Sequence, residues 1–217
     1  MLKSPQLRIF KPLAPIIAAH LNVSYNLMTV IINYRKYLIV VILFLSSCAT
    51  HKVSTLVGYD YDAKSNKTDY FILPYGSVSI PGKWEKSNYN SISRQQFFKN
   101  EDSVTIAIAF GPCNKFEFNA DNPKVGYEFV KAYYEWDSQY FVGKLGLGRK
   151  IIESDSLNSY LIWNLFGASN DLKVDTYFLF SDNNCYVKSF SVLETDKWTT
   201  SQKVEFLKNL YRNEDQE

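Results

Sequence analysis

The segment from Tyr160 to Gly167 reads Tyr-Leu-Ile-Trp-Asn-Leu-Phe-Gly and constrains the fold more than any other stretch of the chain. Successive side chains of a strand point to opposite faces, so Tyr160, Ile162 and Phe166 share one side and Leu161, Trp163 and Leu165 the other. A strand apolar on both faces belongs inside a sheet that is covered on both sides. Further strands are expected near residues 149–153, 173–181 and 185–193. Their breaks are Ser156-Leu157-Asn158, Ser169-Asn170-Asp171 and Asp182-Asn183-Asn184, all of them turn chemistry. Connections this short favour antiparallel neighbours.

Upstream, residues 70–74 and 77–80 read as short strands, broken at Tyr75-Gly76 and stopped by Pro81-Gly82. Residues 94–99 and 103–110 flank Asn100-Glu101-Asp102 as a hairpin. In its second strand Val104, Ile106, Ile108 and Phe110 share one face, and Ser103, Thr105, Ala107 and Ala109 the other. Two helices are available as cover. The first is expected over 123–140, with Asp121 or Asn122 as cap and Pro123 in the first helical position. Its stripe is Val125, Phe129, Ala132, Tyr133, Trp136 and Tyr140. The second opens on a capping box of Thr199 and Gln202, and Phe206, Leu207, Leu210 and Tyr211 form its apolar face. The fold class that follows is α+β, a single domain over residues 70–213 with a polar tail at 214–217. Its antiparallel, meander-like sheet is covered by helices on both faces as an α/β/α sandwich.

Charge divides the chain near residue 60. All 22 acidic residues lie at or beyond Asp60, whereas Lys3, Arg8, Lys11, Arg35 and Lys36 stand in a stretch without an acid. Asn33 to Cys48 gives a short basic region, an unbroken apolar run from Tyr37 to Leu45 and then small residues, the tripartite form of an export signal. So short a run does not span a bilayer, which takes ~20 predominantly apolar residues. Leu45-Ser46-Ser47-Cys48 resembles the lipobox of bacterial lipoproteins. The resemblance implies that Cys48 is acylated and becomes the first residue of the mature chain, with residues 28–47 removed as its signal peptide. Met28 is then the expected start, and residues 1–27 are an over-extended N-terminus. Residues 48–69, rich in Ser, Thr, Lys, Asp and Asn, read as a solvated tether. Removing residues 1–47 takes away five basic groups and no acid, so a net charge of +2 becomes −3 for the 170 residues that remain. The signal and the Asn- and Tyr-rich domain also resemble small palmitate-bearing lipoproteins of Bacteroidota. With no acidic cluster after Cys48, that resemblance implies a cell-envelope position on the outer membrane, facing the periplasm.

The order of elements resembles the PsbP-like family over about Tyr70 to Tyr211: an early hairpin with Ser79-Ile80-Pro81 and Trp84, a second hairpin, a helix, several antiparallel strands and a terminal helix. The resemblance implies an α/β/α sandwich used for binding and assembly, with no shared catalytic set, and it transfers no functional residue.

Candidate chemistry is sparse. His20 and His51 are the two histidines, and neither falls in the expected domain, so imidazole catalysis and a histidine-containing metal site are excluded there. No cofactor and no metal is expected. Cys113 and Cys185 would be exported to an oxidising compartment, where they either pair or remain two thiols. A bridge over that separation would contribute about 4 kcal/mol. Gly143, Gly146 and Gly148 follow a helix and precede a strand, the reverse of a phosphate-binding loop, and read as a connector. Glu135 and Asp137 stand two apart on a helix and point in different directions. Tyr127, Tyr134 and Phe141 recur every seven residues beside the main stripe, either as contacts for a partner or as rings that finish the core edge. The exported part carries no basic stripe for nucleic acid.

The leading expectation is a membrane-anchored envelope lipoprotein whose non-catalytic domain binds or scaffolds an envelope protein or glycan. The alternative is a hydrolase of envelope glycans that uses carboxylates brought together by the fold. A deep cleft with two facing carboxylates would favour the hydrolase, and an exposed aromatic surface without one would favour binding.

Overall fold

The computed structural model describes residues 54–121, 123–169 and 172–212. The expected export signal, Cys48 and His51 lie outside the described residues. Strands β1 (Leu56–Asp62), β2 (Lys67–Leu73) and β3 (Gly76–Pro81) form a three-stranded antiparallel meander. β4 (Glu85–Asn90), β5 (Gln95–Lys99) and β6 (Thr105–Pro112) open a second sheet. Two short 3-10 turns, Cys113–Lys115 and Glu117–Asn119, then lead into helix α1 (Gly126–Leu145). β7 (Gly148–Asp155), β8 (Tyr160–Ser169), β9 (Leu172–Asn183) and β10 (Tyr186–Val192) follow, and helix α2 (Thr200–Arg212) ends the described chain.

The second sheet has seven strands in the order β4-β5-β6-β10-β9-β8-β7, all antiparallel. Its one departure from a meander is the β6–β10 pair. After β6 the chain crosses one face as α1, restarts at the far edge as β7, and works back by hairpins until β10 meets β6. One cross-strand row runs Ile108, Phe190, Leu179, Ile162, each fully buried. The next row, on the opposite face, runs Ala107, Ser191, Phe178, Trp163. The strand Tyr160–Ser169 therefore does what its sequence requires: Tyr160 and Ile162 join one core cluster, while Leu161, Trp163 and Leu165 join the other.

The two covers differ. Phe129, Val130, Tyr133 and Tyr134 of α1, with Phe116 and Phe118 from the 3-10 turns, close the cluster around Trp163, Phe178 and Phe180. On the other face Leu207 and Leu210 of α2 share the work with Tyr70, Val78 and Ile80 of the three-stranded sheet. Helices alone on both faces is thus corrected: a small sheet completes the cover beside α2. The tether expectation changes for the same reason. Residues 56–62, read as solvated, form β1 because their aromatics have partners. The Tyr59 hydroxyl donates to the Trp84 carbonyl at 2.5 Å, and its ring lies 5.9 Å from that of Phe98. β4 was not expected either. All six of its residues are exposed, so it carries no apolar alternation to read.

Helix α1 begins at Gly126 rather than at Pro123, and its N-terminus is held from afar: the Gly126 amide donates to Asp182 Oδ2 at 2.5 Å. Its buried side is turned from the expected stripe, since Tyr134 and Ser138 are buried whereas Val125, Trp136 and Tyr140 are exposed. The helix closes at Gly146, whose left-handed φ of 66° suits glycine at this position, as its amide donates to the Val142 carbonyl. Gly148 then enters β7 against the Phe166 ring, with no room for a Cβ. These two glycines are structural stops, in keeping with a connector. The capping box of α2 forms as expected, the Thr199 amide donating to Gln202 Oε1 at 2.8 Å and the Gln202 amide to Thr199 Oγ1 at 3.3 Å.

Candidate functional site

Aromatic side chains run in an unbroken series from the core to the surface on the α1 face. Phe180 stacks on Tyr133 with ring centroids 4.0 Å apart, and Phe116 lies 4.7 Å from the same tyrosine. Phe116 and Phe118 then meet Trp136, at 6.4 and 5.5 Å. Trp136 is 43% exposed and Tyr140, one turn on, 61%. Such rings present large, rigid contact area at the solvent boundary.

Of the two readings open for Tyr127, Tyr134 and Phe141, the structure places these rings at the core edge. Tyr134 is buried, lies 5.5 Å from Trp163, and has the Arg149 guanidinium over its ring. Tyr127 and Phe141 are half-buried and pack against the same cluster, so these rings finish the core edge. Cys113 and Cys185 are joined as a disulfide, with Cα atoms 4.7 Å apart. The bridge ties the 3-10 turns to the turn between β9 and β10, and the Cys113 amide donates to the Cys185 carbonyl beside it.

The charged groups are mostly structural. Lys203 of α2, 1% exposed, donates to Asp175 Oδ2 at 2.7 Å, and Asn164 donates to Oδ1 of the same carboxylate. Desolvation pushes the Asp175 carboxyl up, but the hydrogen bonds from Lys203 and Asn164 and the ammonium charge outweigh it and hold the group below its usual range. Glu153 accepts from the Tyr160 hydroxyl at 2.5 Å and from Lys208 at 2.9 Å, which lowers its carboxyl. Both networks fasten α2 to the sheet. Glu135 pairs with Arg149 at 2.9 Å.

Two carboxyls move the other way. Burial pushes Asp137 up to about 7 and raises Asp182 as well. They do not form a catalytic pair. Asp182 holds the amide of Gly126, which lies about 16 Å along the helix axis from Asp137 at 1.5 Å per residue. Facing glycosidase carboxyls stand roughly 5–9.5 Å apart. Among the described residues no group of three or more His, Cys, Asp or Glu could hold a metal ion.

The sequence reading missed Asp182 and Lys203 as residues of note, and it set Trp136 on the buried stripe of the helix, where it is 43% exposed. Asp182 was read as turn chemistry, which it also is. Its second role depends on a residue 56 positions away and has no local signal.

No protein-family model matches the chain, and no curated protein matches it. Among solved structures the chain is similar to the solution structure of cyanobacterial PsbP (CyanoP) from Synechocystis sp. PCC 6803. The identity is 12%, the match covers 78% of this chain and 96% of that one, and the TM-score is 0.39.

Proposed function

We propose that this chain is exported, acylated at Cys48 and held at a membrane surface of the cell envelope, where its α+β domain binds a partner and catalyses no reaction. The anchoring half rests on the order of Arg35-Lys36, the apolar run and Leu-Ser-Ser-Cys. A disulfide between Cys113 and Cys185 accords with an oxidising compartment. No helix among the described residues is long and apolar enough to cross a membrane. The PsbP-like sandwich belongs to this proposal and rests on the order of elements.

The binding half is carried by one observation, the aromatic series that surfaces at Trp136, with the exposed Tyr140 ring one turn on. The test is a photo-cross-linker placed at position 136 of the full chain in intact cells, with a second placed at Ile92, which is 93% exposed on the β4–β5 turn. The expected result is a discrete adduct from position 136 that is absent from position 92. Equal labelling at both positions, or none at 136, contradicts the proposal.

A further inference from the structure

The end of the domain nearest the proposed anchor is uncharged. Leu56 and Val57 open β1, and Leu56 pairs across to Leu73, the last residue of β2. The chain then turns at Pro74-Tyr75 into β3, the Tyr75 amide donating to the Ile72 carbonyl at 2.7 Å. The Tyr75 ring lies 6.5 Å from that of Tyr186, the first residue of β10, which pairs with Pro112 at the end of β6. These contacts join the start of β1, the β2–β3 turn and one end of the seven-stranded sheet into one surface. Leu56, Val57, Leu73 and Tyr186 are each between 44% and 61% exposed. The stretches that build it, residues 54–59, 70–82 and 105–113, contain no Asp, Glu, Lys or Arg.

Exposed apolar side chains scattered singly need no explanation, whereas a group of them that two sheets bring together marks a contact surface. Its position decides what it contacts. Ser54, where the described residues begin, stands six residues beyond Cys48. A fully extended segment of that length spans about 20 Å, so acyl chains on Cys48 hold this end of the domain close to the bilayer. The opposite end is out of reach: Tyr186 pairs with Asn183 at the end of β9, and Leu172 begins the same strand about 36 Å away at the rise of a β-strand. Tyrosine suits a headgroup boundary, with an apolar ring and a polar hydroxyl. A patch of this size is small for binding a membrane unaided. Beside a covalent anchor the contact becomes intramolecular, and few side chains suffice.

We infer that this end of the domain rests on the lipid bilayer, with Leu56, Val57 and Leu73 at the acyl boundary and Tyr75 and Tyr186 among the headgroups. The inference rests on the acylation of Cys48. It leaves the Trp136 surface to a partner, since α1 covers the face of the seven-stranded sheet opposite to the three-stranded sheet. The test uses the acylated chain purified from membranes and reconstituted in vesicles of phosphatidylethanolamine and phosphatidylglycerol. With Cys48 acylated and Cys113 bonded to Cys185, an introduced cysteine is the one thiol open to a spin label. Labels are placed in separate variants, Leu56→Cys and Leu73→Cys, with Leu172→Cys, 71% exposed at the far end of β9, as the control. Electron paramagnetic resonance compares collisions with oxygen, which partitions into lipid, and with a water-soluble nickel complex. The oxygen-to-nickel ratio is expected to be several-fold higher at positions 56 and 73 than at 172. Labels at 56 and 73 that meet nickel as freely as the control, or that are shielded from both probes as in a contact between proteins, overturn the inference and leave the anchor standing if the chain floats with the vesicles. A chain that does not float with them removes the anchor and this inference together.

Discussion

Asp137 sits half-buried on α1 with its carboxyl pushed up to about 7 by desolvation. In the unfolded chain an Asp carboxyl titrates near ~3.9. Between these values the unfolded chain ionises and the folded one does not, so the group's cost to stability grows as pH rises through that window and is complete above it. Asp137→Asn removes the ionisation at nearly constant shape. It is expected to stabilise the protein at pH 8 by about 2 kcal/mol, half of a full conversion because the side chain still reaches water, and to change little at pH 4. Thermal melts at the two pH values check this, and an equal shift at both contradicts the burial assigned to Asp137. Asp175 and Glu153 carry the opposite sign. Their carboxyls are held down, so the stability they contribute is present above the unfolded value and is lost as pH falls through the folded one. None of these three environments was legible in the sequence, because each is made by residues that meet only across the fold.

At the scale of elements, legibility followed apolar pattern. β8 was readable as a run apolar on both faces between turn residues, and the β5–β6 hairpin because Asn100-Glu101-Asp102 interrupts two runs that contain apolar residues. β1 and β4 were not. β1 contributes one well-placed tyrosine to a core assembled elsewhere, and β4 is an exposed edge strand. The start of α1 moved because no local residue caps it: Asp182, at the end of β9, does so instead. The turn that carries Asp182 is itself pinned by the Cys113–Cys185 bridge, with a sequence separation of 72. Replacing both cysteines by alanine is expected to cost about 4 kcal/mol from the lost restraint on the unfolded chain. Denaturant unfolding with and without reductant measures it. If the oxidised parent and the double variant have the same midpoint, the bridge adds nothing to stability.

For the whole molecule, the seven-stranded sheet separates two cores with different lids, and the difference sorts their roles. The face shared by α2 and the three-stranded sheet is closed and cross-braced by Lys203–Asp175 and Lys208–Glu153. The α1 face holds its aromatics in a chain that ends in solvent at Trp136. A two-faced antiparallel sheet could be foreseen from Tyr160 to Gly167 alone. The surface proposed to face a partner could not, because the buried side of α1 is turned by about 100° from the expected stripe, which puts Tyr134 in the core and leaves Trp136 in solvent. The proposed anchor belongs to the same scale, since the proposed binding role would depend on the domain being held where its partner is. The intact mass of the membrane-extracted protein tests this most directly. A chain beginning at Cys48 and carrying the added mass of two or three acyl chains is the expected result. A chain that begins anywhere else, or a Cys48 without acyl mass, contradicts it.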